Sequence, residues 1–173
     1  MPRLAAAIAL LLAACGGTTA PPPPPPPAMG LVLAGGDEAS FVPLRSGAEA
    51  VLVEGAQGGV HVWMRYRAPA QSMSRVVAVH RSARRQADGK LVLNREAGVP
   101  PGRDAPGSTW EPTTPTPMFM CPSPIGLSEI DQPIVFRIDL LDEAGRAVDG
   151  GEVTLVPRCP DSSRAFCLQI CTG

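Results

Sequence analysis

The residues in this 173-residue chain best suited to chemistry are two histidines and a cluster of sulfur side chains. His61 and His80 are the only histidines, and Met118, Met120 and Cys121 fall together in Met-Phe-Met-Cys. Imidazole, thioether and thiolate are ligands that suit copper, so a copper-type site built from His61, His80 and these residues is one reading. It requires the strands carrying the two histidines to pair. The spacing matches no copper motif, and methionine more often fills gaps in a core. A second candidate is the run Val-His-Val-Trp-Met-Arg-Tyr-Arg at residues 60–67. On a strand, Val60, Val62, Met64 and Tyr66 share one side, and His61, Trp63, Arg65 and Arg67 share the other. Tryptophan flanked by arginine and histidine is the composition of interface anchors, so these four and Trp110 are candidate surface-binding residues. The plainer alternative places Trp63 under a neighbouring loop and pairs the arginines with acids across the sheet.

Catalysis has less support. The chain holds no Gly-x-Ser-x-Gly elbow, His-Glu-x-x-His pair or phosphate loop, and its acids are scattered. A binding or structural protein without cofactor is the expectation. The charge balance points the same way. Fifteen basic residues face 16 acidic ones, and a nucleic-acid partner would call for a basic stripe. Aromatic residues are scarce, with four Phe, two Trp and one Tyr, so the core must be mainly aliphatic.

The elements that must position these residues read as strands. Residues 49–54 and 60–67 flank the glycine-rich stretch Gly55-Ala-Gln-Gly-Gly59 and form a predicted hairpin. Residues 75–81 and 90–95 repeat the pattern around Asp88-Gly89, which supplies the positive φ of a tight turn. Residues 134–141 alternate most clearly, with Ile134, Phe136, Ile138 and Leu140 on one side. A turn around Asp142–Gly145 leads to residues 147–148, and Gly150-Gly151 precedes residues 152–156. Short strands with turns every 8–12 residues or so predict an antiparallel sandwich. About seven strands fit an immunoglobulin-like fold, although the Cys…Trp…Cys order is absent. Residues 97–117, with six prolines and no periodicity, read as a long irregular loop, or as one with a short edge strand at residues 109–111.

Cys121, Cys159, Cys167 and Cys171 are an even set, most simply two disulfides in an exported chain. Cys167 and Cys171 are four apart, about 13 Å on a strand and about 5–6 Å between Cβ atoms on a helix. A disulfide wants about 3.5–4.5 Å, which disfavours that pair. Cys121 must then reach Cys167 or Cys171, and Cys159 takes the other.

The N-terminus sets the location. Arg3, the apolar run of residues 4–12 and small Ala13-Ala14 make a secretion signal too short to span a bilayer. Cys15 after Leu-Ala-Ala resembles the lipobox of bacterial lipoproteins, whose cysteine is lipidated and becomes the first residue. The stretch Gly55-Ala-Gln-Gly-Gly59-Val-His61-Val-Trp63 resembles a segment in uncharacterised lipoproteins of GC-rich Gram-negative bacteria, myxobacteria among them. That resemblance implies location and fold rather than an activity. Gly16, where Asp is absent, implies sorting to the outer membrane. The expected organisation is a signal at 1–14, a lipidated proline-rich tether at 15–30 and one sandwich at 31–173. Loss of Arg3 with the signal leaves 14 basic against 16 acidic residues, a net of −2. Seven prolines, Pro21–Pro27, should be extended over about 22 Å. The expected partners are the membrane, through a lipid at Cys15, and an envelope protein or small ligand.

Overall fold

The computed structural model describes residues 30–35, 40–56, 58–124 and 127–172, so Cys15 and residues 16–29 of the tether lie outside the described residues. The strands are β1 (Val32–Gly35), β2 (Val42–Pro43), β3 (Ala48–Val51), β4 (Val53–Glu54), β5 (Val60–Pro69), β6 (Ala78–Arg85), β7 (Leu91–Gly98), β8 (Gly102–Ala105), β9 (Thr109–Pro112), β10 (Thr116–Cys121), β11 (Ile134–Leu141) and β12 (Ala147–Arg158). Two α-helices, α1 (Ala70–Met73) and α2 (Arg164–Thr172), and a short 3-10 turn at Asp161–Ser163 complete the described elements. One sheet has the order β2-β1-β5-β9-β8, with β4 and β10 also paired to β5; the other has the order β3-β12-β11-β6-β7. Among the described strands all pairings are antiparallel except β3 with β12. The architecture is an all-β sandwich, as the alternation predicts.

The core lies between the sheets. β11 turns Ile134, Phe136, Ile138 and Leu140 inward, each fully buried. β5 answers with Val60, Val62, Met64, Tyr66 and Ala68, and β10 adds Met118 and Met120. Each large apolar side chain removed from water contributes about 1.5–3 kcal/mol, and this aliphatic layer carries most of the stability.

The strand count exceeds seven because several runs divide or form where the sequence shows no period. Residues 49–54 are split between the sheets. β3 joins β12, β4 joins β5, and Leu52 between them is buried while its N–H donates to the Arg158 carbonyl at 2.8 Å. The segment 97–117 is ordered as the β8–β9 hairpin and the start of β10, with Pro112 and Pro117 on short strands where a missing N–H costs little. Gly150-Gly151 does not interrupt β12. A Cβ on Gly151 would stand 2.8 Å from the Leu31 carbonyl, so the glycine admits the chain just before β1.

The C-terminal helix also escapes sequence reading. Nine residues are too few for a stable isolated helix, and α2 is held by tertiary links. Cys121 bonds Cys171 and Cys159 bonds Cys167, one of the two connectivities left open by the spacing argument. Cys167 and Cys171 lie one turn apart, both buried, and reach different partners. Trypsin followed by chymotryptic cleavage at Leu168 should therefore yield the Cys121 peptide bonded to the Cys171 fragment and the Cys159 peptide bonded to the Cys167 fragment. The reversed linkage in non-reducing mass spectrometry would contradict this arrangement.

Candidate functional site

The outer side of the first sheet carries the most unusual side chains, and β5 positions them. β4 and β10 flank its first half and bring Val53 and Phe119 opposite His61, making one row across three strands. Trp63 stands edge-on to the imidazole, ring centres 4.5 Å apart, and Phe119 does so at 5.5 Å. A tight turn closes over the ring: the Gly55 N–H donates to the Gly59 carbonyl at 2.7 Å. A Cβ on Gly55 would stand 2.7 Å from His61 Cε1, so only glycine lets the turn lie this close.

The outcome is a buried histidine beneath exposed apolar side chains. His61 is 3% exposed, whereas Val53, Trp63 and Phe119 are 41%, 37% and 44% exposed. Among the described residues neither imidazole nitrogen has a hydrogen-bond partner, and burial holds the pKa below the ordinary histidine value. His61 is therefore neutral at neutral pH, a packing element of an aromatic patch. Beside Trp63 a recess of about 400 Å³ opens at the sandwich rim, lined by Leu44, Val51, Val53 and Val62, with Glu49 at its edge.

The second half of β5 is polar. Arg65, Arg67 and Arg103 all converge on Glu111 of β9. Arg65 Nη2 donates to Oε1 at 3.3 Å, Arg67 Nε to Oε2 at 2.8 Å and Arg103 Nη2 to Oε1 at 2.8 Å. Burial pushes the Glu111 pKa up, but hydrogen bonds from Arg67 and Arg103 and the nearby positive charges outweigh it, and the net direction is down. Arg67 also stacks on Phe41, its guanidinium carbon 3.9 Å from the ring centre.

The five surface candidates are thus not one surface. Trp63 and Arg67 reach solvent in part. His61 and Arg65 are each 3% exposed, which corrects their placement at the surface. The cause is aromatic packing at one position and ion pairing at the other. Trp110 lies on the opposite side of the sheet, its ring 6.0 Å from Tyr66 and its indole over Gly102.

The copper-type set does not converge. His61 is on the first sheet, whereas His80 is on the second, 2.6 Å from Asn94 Oδ1 and 3.7 Å from Asp139 Oδ2. Met118 and Met120 point into the core, and Cys121 is bonded to Cys171. Among the described residues no group of three or more His, Cys, Asp or Glu is placed to hold a metal ion. No helix among them is long and apolar enough to cross a membrane.

Sequence reasoning missed Glu111 and Glu129, since a lone acid in a loop or short strand looks solvated. Glu129 is fully buried beside the Cys121–Cys171 disulfide, with Oε2 3.8 Å from Cys121 Sγ and Oε1 without a hydrogen-bond partner among the described residues. Burial pushes its pKa up to about 7, against the pull of Ser123 and Arg85. No protein-family model, curated protein or solved structure matches the chain.

Glu129 generates a pH prediction. Its folded-state pKa is raised, so the native state favours the protonated acid. This stability is complete below the ordinary carboxyl range and is lost as pH rises through about 7. The loss is about 3 kcal/mol. Thermal unfolding should show the wild type losing Tm between pH 5 and pH 8, while Glu129→Gln loses distinctly less. Parallel decline of the two proteins would contradict the assignment.

Proposed function

We propose that this chain is a bacterial outer-membrane lipoprotein that presents one disulfide-stapled β-sandwich as a binding or structural module at the cell envelope. The observation that carries the reading is the sequence Leu12-Ala13-Ala14-Cys15 after a short apolar run. Cys15 offers its thiol for acylation, removal of residues 1–14 adds its freed α-amine as a second acylation point, and Pro21–Pro27 would then space the domain from the lipid surface. The exposed patch of Val53, Trp63 and Phe119 supports a binding role, since apolar contact residues around a tryptophan suit an envelope protein or a small apolar ligand. The reading involves no catalytic step and no cofactor.

More than one acyl chain is needed for durable anchoring, because each buried CH₂ contributes about 0.8 kcal/mol and a single chain holds only marginally. Cell fractionation of Cys15→Ala tests the anchor. The wild type should sediment with membranes, whereas the variant should appear in the soluble fraction. A variant that stays with the membranes would overturn the lipoprotein reading.

A further inference from the structure

We propose that the sandwich rim between β9 and β10 is a binding site for the carboxylate of a small organic acid, built from Arg81, Arg95 and Tyr66. Arg81 lies on the core side of β6. Its register partner Ile138 is fully buried, as are Leu140 and Phe136 opposite Val79 and Ala83. On its other flank Arg81 stands directly opposite Arg95 of β7, at the sheet edge, where Leu93 is buried on the same side. Like charges directly opposite each other destabilise a sheet, and an anion between them relieves that cost. No acid of the chain does so. Among the described residues neither arginine forms an ion pair, and Asp104, opposite Trp110 on that side of the first sheet, reaches neither. Glu111 is already shared by three other guanidinium groups.

The first sheet leaves an opening in front of this pair. Between Met64 and Ala68 the β10–β9 edge of β5 has no described partner, and Tyr66 turns inward in that interval. Arg81 Nη1 donates to the Pro117 carbonyl at 2.9 Å, which fixes the guanidinium at the β10 side of the opening. Trp110, partly exposed, bounds the β9 side with its ring 6.0 Å from that of Tyr66. The Tyr66 hydroxyl is buried and has no hydrogen-bond partner among the described residues. A buried hydroxyl left unpaired is costly, so the position calls for an acceptor. Burial raises the phenol pKa against the pull of Arg81, so Tyr66 keeps its proton and donates. Burial also lowers the Arg81 pKa, opposed by Tyr66 and reinforced by the charge of Arg95. Arg81 and Tyr66 thus lie within electrostatic reach of each other without bonding.

Donors without acceptors define the ligand. The Pro117 carbonyl takes one N–H of Arg81, and the remaining N–H groups, the Tyr66 hydroxyl and the Arg95 guanidinium can only donate to an incoming group. A carboxylate presents one oxygen to Arg81 and the other to Tyr66, while Arg95 adds its charge from the solvent side. Trp110 supplies a flat apolar wall for the body of the acid. A phosphate would turn further oxygens toward the indole face, which cannot bond them. On the outer side the opening is spanned by the Arg65 and Arg67 pairs with Glu111, so the ligand enters along the rim, past Arg95. The site uses neither lipid at Cys15 nor the patch around Trp63, and it stands or falls apart from both.

The test titrates the full mature chain, carrying Cys15→Ser, with benzoate, benzamide and inorganic phosphate by isothermal calorimetry. Benzoate should bind saturably with a Kd at or below about 1 mM, and the other two at least roughly tenfold more weakly. Arg81→Gln should weaken benzoate by about tenfold and Arg95→Gln by about threefold. Arg95 is exposed at an edge, so its variant keeps the test informative even where Arg81→Gln folds poorly. Tyr66→Phe discriminates best, because it keeps the ring and removes only the unpaired hydroxyl. The free variant should be no less stable than the wild type, while benzoate binding falls by about fivefold. No saturable benzoate binding by the wild type, or undiminished binding by Tyr66→Phe, would overturn the proposal. Benzamide or phosphate binding as tightly as benzoate would overturn the assigned ligand class.

Discussion

Glu111 is one buried carboxylate shared by three guanidinium groups, and the course of β5 depends on it. β5 changes neighbours along both edges, from β4 to β1 on one side and from β10 to β9 on the other. Between Met64 and Ala68 the β10–β9 edge has no strand partner among the described residues. Arg65 and Arg67 sit in that interval, and Glu111 reaches across from β9 to hold both. Side-chain ion pairs thus bridge the place where the backbone ladder is interrupted. Removing one partner from such a buried set is costly because charge is left without compensation.

The two sides of the sheet follow from this clamp. Trp110 and Glu111 are consecutive on β9 and point to opposite sides, so fixing Glu111 outside fixes Trp110 inside against Tyr66. A Cβ on Gly102 would stand 2.0 Å from the indole, so β8 passes the tryptophan only because that residue is glycine. With its second half clamped, β5 presents His61 and Trp63 at a set position between β4 and β10. The exposed aromatic patch is therefore the distal end of a strand whose other end is tied down by charge.

The sequence makes the alternating strands legible. β11 shows its inward set without ambiguity, and the Asp88-Gly89 turn shows in the β6–β7 hairpin, where Gly89 has φ of 68°. The periods of β5 are equally clear, and its inward side is as expected. Its outward side is not legible, because what buries it is set by tertiary placement: Phe119 of β10 and the folded-back turn at Gly55 cover His61, and Glu111 of β9 covers Arg65. Period-two alternation describes the core side alone and carries no information about what covers the other. Residues 97–117 fail for a related reason. Prolines argue against a central strand, yet β8, β9 and β10 are short and their ladders tolerate lost donors. α2 has too few residues to display a helical period, and its disulfides supply what propensity does not.

The dependence of β5 on its carboxylate is tested most directly by hydrogen exchange and equilibrium unfolding of Glu111→Ala. We expect a loss of about 3 kcal/mol or more, the cost of breaking a buried ion pair from one side. Faster amide exchange should concentrate in β5 and β9, with β11 and β12 exchanging last. A loss below about 1 kcal/mol, in the range of surface ion pairs, with uniform exchange across both sheets, would contradict the central role given to Glu111.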